Sequence, residues 1–193
     1  MRSSSEVSVE GVEGALAEFA ALRDEILERV KAQQQLLSFQ LTFTGAIFGF
    51  AITRPGMTAL LLIVPFGSYL LCGRLVAQHF GTLRVAMYIK DELSHRVPGG
   101  LGWERWLEAR QRRRPHFLGS TLPLLFTFAG ASVLALGWTT GYVFGRHGVP
   151  ALARFGLGAF WVLGVAAAIS CIIFVLQMNN RLPVRSWAQT GLS

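Results

Sequence analysis

The stretch Leu36–Gly73, LLSFQLTFTGAIFGFAITRPGMTALLLIVPFGSYLLCG, carries no acid, no lysine and no histidine, and its one formal charge is Arg54. Arg54, Pro55 and Gly56 divide it into two apolar runs, Leu36–Thr53 and Met57–Gly73. Proline and glycine stop one helix and let the chain reverse. The two runs therefore read as a helical hairpin that returns the chain to its starting side. A membrane span takes about 20 mainly apolar residues, within roughly 17–25. Both runs sit at the short end, and Ser38, Gln40, Thr42 and Thr44 soften the first. A re-entrant hairpin that never crosses is the alternative.

Outward from this hairpin lie two longer apolar segments, Phe117–Gly145 and Ala151–Met178. Over the whole chain 52% of residues are hydrophobic and 15% charged, against about 25% charged in an average soluble domain. The 193 residues suit one compact unit. These features predict an all-α integral membrane bundle of four transmembrane helices. It comprises an N-terminal helix over 1–35, the hairpin over 36–73, a polar helical or interfacial segment over 74–116, spans 3 and 4 over 117–178, and a tail over 179–193. Residues 1–35 hold seven acids and lack the basic-then-apolar pattern of a secretory signal. The first apolar run is therefore expected to be an uncleaved anchor, with the first eight or so residues disordered.

Charge orients the bundle. If the N-terminus is inside, fifteen of the eighteen basic residues lie on that side, and only Arg54, Arg146 and Arg154 lie outside. That asymmetry is the positive-inside pattern. All eleven acids share the basic side. The expected location is the inner (plasma) membrane of a bacterial cell, multi-pass, with both termini cytoplasmic.

Two segments form the cytoplasmic face. From Val12 to Leu37 apolar residues recur at helical spacing: Val12, Phe19 and Ile26 are seven apart, flanked by Leu16, Leu22, Val30 and Leu37. The second segment, from Arg74, continues span 2 as a helix until Pro98-Gly99-Gly100 ends it, and a short helix follows over Trp103–Arg113. Residues 1–38 sum to −3 and residues 74–116 to +5, which suggests that the acidic helix docks on the basic segment, within one subunit or between two. Phe19, Asp24, Glu25, Ile26, Glu28 and Tyr88 are the candidate partner-binding face. The run WERWLEARQRRRP, Trp103 to Pro115, abuts span 3. Tryptophans settle at a membrane interface and arginines meet anionic headgroups there, each worth about 1 kcal/mol. Trp103, Trp106, Arg110, Arg112, Arg113 and Arg114 are thus candidate contacts to anionic lipid. Their place beside a span argues against nucleic acid as their partner.

Small residues at close-packing spacing mark helix contacts in lipid: Gly45 and Gly49, then Gly137, Gly141 and Gly145, then Gly164. They serve packing within the bundle or a homo-oligomer. Pro65 and Pro123 are expected to bend their helices. Thr42, Thr44, Thr127, Thr139 and Thr140 are the residues with which a pore would be lined, although such hydroxyls commonly bond to their own helix.

Reaction chemistry is missing from the sequence. The span interiors contain no Asp, Glu, Lys or His, the usual marks of proton or ion coupling. Asp24 and Asp91 are the only aspartates, too few for a multi-aspartate metal site, and no HExxH, CxxC, P-loop or GxSxG occurs. His79 with Tyr88, Asp91 or Glu92 is the nearest approach to a site. Cys72 and Cys171 read as small buried packing residues. No cofactor or metal is expected.

The runs QQQLLSFQLTFTGAIFGFAI, GRLVAQHFGTLRVAMYIKDEL and PGGLGWERW together resemble an uncharacterised kind of small four-span bacterial membrane protein, from about Gln33 onward. That resemblance implies the architecture and no activity. The layout is also similar to small multi-span proteins of bacterial antiphage systems, which implies membrane permeabilisation after a cytoplasmic trigger. The leading expectation is a non-enzymatic, homo-oligomeric membrane anchor or scaffold whose cytoplasmic face binds a protein partner. An oligomeric ion channel or pore-forming effector is the alternative, and a lipid-acting membrane enzyme the third reading.

Overall fold

The computed structural model describes residues 4–97, 121–145 and 151–180, and these are helical almost throughout. Helix α1, Ser4–Thr53, is one unbroken rod that joins the N-terminal amphipathic helix to the first apolar run. No break falls at residue 35. The rod begins inside the stretch expected to be disordered.

The chain turns at Arg54, whose backbone is extended (φ −126°, ψ 99°) as a residue before proline prefers to be. A 3-10 helix, Pro55–Ile63, then leads into α2, Val64–Asp91. Nine residues is long for 3-10 geometry. Pro65 gives a physical cause. It lacks an N–H and its ring would crowd the carbonyl four residues back, so α geometry starts only at its own first turn, where Val64 N–H still bonds Leu61 O. The expected kink at Pro65 is therefore a junction between two helix types. Helix α2 runs straight past Gly73 and ends at Asp91, short of Pro98, with a 3-10 turn over Leu93–Arg96.

The third rod, α3, spans Leu122–Phe144. Pro123 lies in the first turn of the α-helical piece Leu122–Leu125, which follows the π-helical Thr121. A π-helical stretch over Phe126–Gly130 comes next. Thr127 Oγ1 donates to Pro123 O at 2.8 Å, a back-bond that competes with the backbone ladder. Gly145 closes the rod: its N–H bonds Gly141 O at 2.9 Å, and a Cβ there would stand 2.6 Å from that oxygen. Its role here is a helix stop. Helix α4, Ala151–Asn180, is the fourth rod.

Packing is up-down-up-down. Helices α1 and α2 are antiparallel, meeting at Ala15 with Ile89 and Leu93 near one end and at Gln40 with Ser68 further along. Helix α4 runs parallel to α2, with Phe160 against Phe66 (5.3 Å) and Phe174 against Tyr69 (5.8 Å). It runs antiparallel to α3, where Trp161 Nε1 donates to Leu136 O at 3.2 Å. Cys72, Leu75, Val76, Phe128, Ala129, Cys171 and Val175 form the largest buried cluster, and both cysteines are free thiols within it.

Four of these helices are long and apolar enough to cross a membrane. Their outward surface is apolar too: Phe39, Leu41, Phe50, Phe126, Leu134, Trp138 and Phe155 are all exposed. Only 11% of the most apolar window of α1 is buried inside the bundle. Such a surface would be unfavourable in water and matches lipid.

Candidate functional site

Two groups of side chains stand apart from plain apolar packing. The first is a paired-helix stalk, formed where α1 and α2 extend past their apolar runs. Ala15, Ile89 and Leu93 are buried at its centre, with Phe19, Leu22, Ile26, Val85 and Val97 around them. The inward residues of α1 fall at Ala15, Phe19, Leu22, Ile26, Arg29, Gln33, Leu36 and Gln40, alternating four and three apart. That is the heptad seam of a coiled coil, and it crosses from the stalk into the apolar run without losing register.

Polar contacts fix the stalk. Tyr88 OH donates to Glu18 Oε1 at 2.6 Å, and Arg96 Nη1 lies 3.8 Å from Glu18 Oε2. The Glu18 bond, to a residue well beyond the apolar run, holds the Tyr88 phenol above its ordinary pKa. Arg29 sits in the seam itself. Its Nη2 and Nε donate to Glu25 Oε1 at 2.6 and 3.0 Å, and Nη1 donates to Gln78 Oε1 at 3.3 Å. Gly81 makes this possible, because a Cβ there would run into the Arg29 guanidinium. Lys31 pairs with Glu28 at 2.6 Å along the exposed side of α1.

The acidic helix thus lies on the segment after span 2, within one chain. Glu18 makes the cross-helix contacts, whereas Glu25 and Glu28 pair within α1. Phe19 and Ile26 turn into the stalk, so the residues left outward on α1 are different ones: Leu16, Leu27 and Val30, at 45, 52 and 40% exposure. Asp24, Glu25, Glu28 and Tyr88 are exposed. Trp103, Trp106, Arg110, Arg112, Arg113 and Arg114 lie outside the described residues.

The second group is a polar node among the apolar helices. Gln40 is fully buried, and its Nε2 lies 2.7 Å from Ser68 Oγ, 3.1 Å from Thr44 Oγ1 and 3.3 Å from Thr127 O. It thereby links α1, α2 and the π stretch of α3. Thr139 and Thr140 bond back to carbonyls of their own helix, as Thr127 does. Thr42 faces outward. Gln40 and Ser68 carried little signal in the sequence beyond a polar interruption of an apolar run.

The glycines separate into two kinds. A side chain at Gly45, Gly49, Gly137 or Gly141 would meet nothing within 4 Å, so these positions face outward. Gly164 is where helices touch, with Leu136 Cδ2 and Pro65 Cγ 3.0 and 3.4 Å from a built Cβ. Gly67, outside the small-residue spacing, admits the Phe43 ring.

As a chemical site the arrangement offers little. Among the described residues no three His, Cys, Asp or Glu side chains gather to hold a metal. His79 lies against its neighbour Phe80, with 5.9 Å between ring centroids. Comparison with protein-family models, with curated proteins and with solved structures finds no match to this chain, so the resemblances drawn above stand on the quoted motifs and layout alone.

Proposed function

We propose that the chain is a non-enzymatic, multi-pass membrane scaffold that assembles as a homo-oligomer and presents the α1–α2 stalk on the cytoplasmic side of an inner membrane. The observation that carries this reading is the outward line Leu16, Ala20, Leu27, Val30 on α1. It is exposed, precedes the apolar run, and is interrupted by Arg23. On the same side of the same unbroken helix follow Leu41, Gly45 and Gly49, which are also outward. Close helix approach in lipid favours such small residues, and an apolar line in water favours a protein neighbour.

The orientation follows from charge. Arg23, Arg29, Lys31, Arg74, Arg84, Lys90 and Arg96 gather at the stalk end, and among the described bases only Arg54 and Arg154 lie at the other. The stalk end is the cytoplasmic one on the positive-inside rule. Arg110 and Arg112–Arg114, with Trp103 and Trp106, are assigned to anionic headgroups at that same interface, from sequence pattern.

The test is the subunit number of the full chain in nanodiscs, by native mass measurement, for the wild type and for a triple variant Leu16→Ser, Leu27→Ser, Val30→Ser. The wild type is expected to be an oligomer and the triple variant to lose it at unchanged helicity. A monomeric wild type, or an oligomer indifferent to the triple change, overturns the proposal. Liposomes holding the wild type are expected to stay ion-tight; flux that stops on Gly137→Leu or Gly141→Leu would favour the pore reading instead.

A further inference from the structure

The Gln40 amide has three neighbours at one end and none at the other. Nε2 contacts Ser68 Oγ, Thr44 Oγ1 and Thr127 O, while Oε1 is buried with no hydrogen-bond partner among the described residues. A primary amide has two hydrogens to give and one oxygen that accepts. Turning the amide over changes which atom is left out without removing the problem. The Ser68 and Thr44 hydroxyls then donate to Oε1, with the 2.7 Å separation from Ser68 typical of an O–H···O bond, but the contact to the Thr127 carbonyl oxygen is lost because neither oxygen carries a hydrogen. The nitrogen, in turn, faces the unpartnered side. In both orientations one polar atom of Gln40 is buried without a protein partner.

We infer that a bound water satisfies this atom, making the Gln40 node a hydration site inside the apolar bundle. Water both donates and accepts, so it serves either amide orientation. A metal cation would suit only the oxygen, and an anion only the nitrogen. A buried water needs two to four polar partners. The orphaned amide atom is one; the Ser68 and Thr44 hydroxyls and the Thr127 carbonyl, 2.7, 3.1 and 3.3 Å from Nε2, are the other polar groups of the node. That carbonyl belongs to the π stretch, where the backbone ladder is already irregular.

The depth of the node fits as well. Gln40 lies four residues past Leu36, about 6 Å along the helix axis, and Ser68 lies five residues before Gly73. The site is therefore near the stalk end of the bundle, within short reach of bulk water. Gln40 also occupies a seam position of α1. A polar residue there, with its hydrogen bonds completed, fixes register between helices. The hydrated node pins α1 to α2 and α3 at the level where the stalk enters the apolar region.

Solid-state NMR on the full chain in lipid vesicles provides the direct test. Magnetisation transferred from water is expected at the assigned Gln40 side-chain amide, at a level near that of Gln78 on the stalk. It is expected to be absent at the backbone amides of Ala135 and Ala168 in the apolar core. A Gln40 amide as dry as these two overturns the proposal. The second measurement is thermal unfolding of Gln40→Leu. Loss of a completed polar node is expected to lower Tm by roughly 4–8 °C. An unchanged or raised Tm would mean that the substitution relieves an unsatisfied amide, and the hydration site would fall.

Discussion

A methyl group on Gly164 would land between Leu136 and Pro65, and a leucine there would have to push the start of α2 away from α3. Overpacking of this kind costs about 1–3 kcal/mol. Gly164→Leu is therefore expected to lower Tm by roughly 2–4 °C per kcal/mol lost, measured by thermal unfolding in detergent. Gly45→Leu and Gly137→Leu are expected to leave the detergent-solubilised monomer within about 0.5 kcal/mol of wild type, because nothing lies within 4 Å of either position. If all three variants lose stability equally, the assignment of inward and outward glycines is wrong. The spacing of small residues was legible in the sequence, but it is the same at Gly45–Gly49 as at Gly164–Ala168. Which of them touches a neighbour depends on the rotation of each helix in the bundle, and local spacing does not encode that.

At the scale of elements, the stalk rests on apolar burial with polar contacts added at its edge. Leu93 is fully buried between Ala15 and Ile89, so Leu93→Ala is expected to cost about 2–5 kcal/mol locally. Glu18→Ala removes an exposed contact to Tyr88 and is expected to cost under about 1 kcal/mol. Hydrogen exchange separates the two. Leu93→Ala should speed exchange over Ala15–Ile26 and Val85–Ile89 and leave Ala135–Val143 protected; a uniform change across the chain would count against an independently weakened stalk. The apolar stripe and the acidic-to-basic pairing that build this element were readable from periodicity and charge. Arg29 in the seam was not, because its place depends on Gly81 of a different helix. The 3-10 and π stretches were equally hidden. Pro65 and Pro123 announced irregular backbone, but whether proline bends a helix or begins one depends on where the helix starts.

At the scale of the whole molecule, the up-down-up-down path places the N-terminal half of α1, the end of α2, the start of α3 and the end of α4 together. The turn at Arg54, the end of α3 and the start of α4 lie at the opposite end. The four apolar rods and this path were the most legible features, since a span is long and its composition repeats the same signal many times. Charge adds the side on which each end lies. Single-cysteine reporters test that directly, in a background with Cys72→Ala and Cys171→Ala, both small buried thiols away from either end. A membrane-impermeant maleimide is expected to label Arg54→Cys in intact cells. It should label Ala20→Cys, on the outward side of the stalk, only after the membrane is opened. Labelling of both from outside would reverse the orientation. If both react only in opened cells, the hairpin enters the membrane from the stalk side and returns without crossing. The second result would leave the paired stalk intact but remove the first two spans, and with them the membrane-embedded half of the proposed subunit contact along Leu41, Gly45 and Gly49.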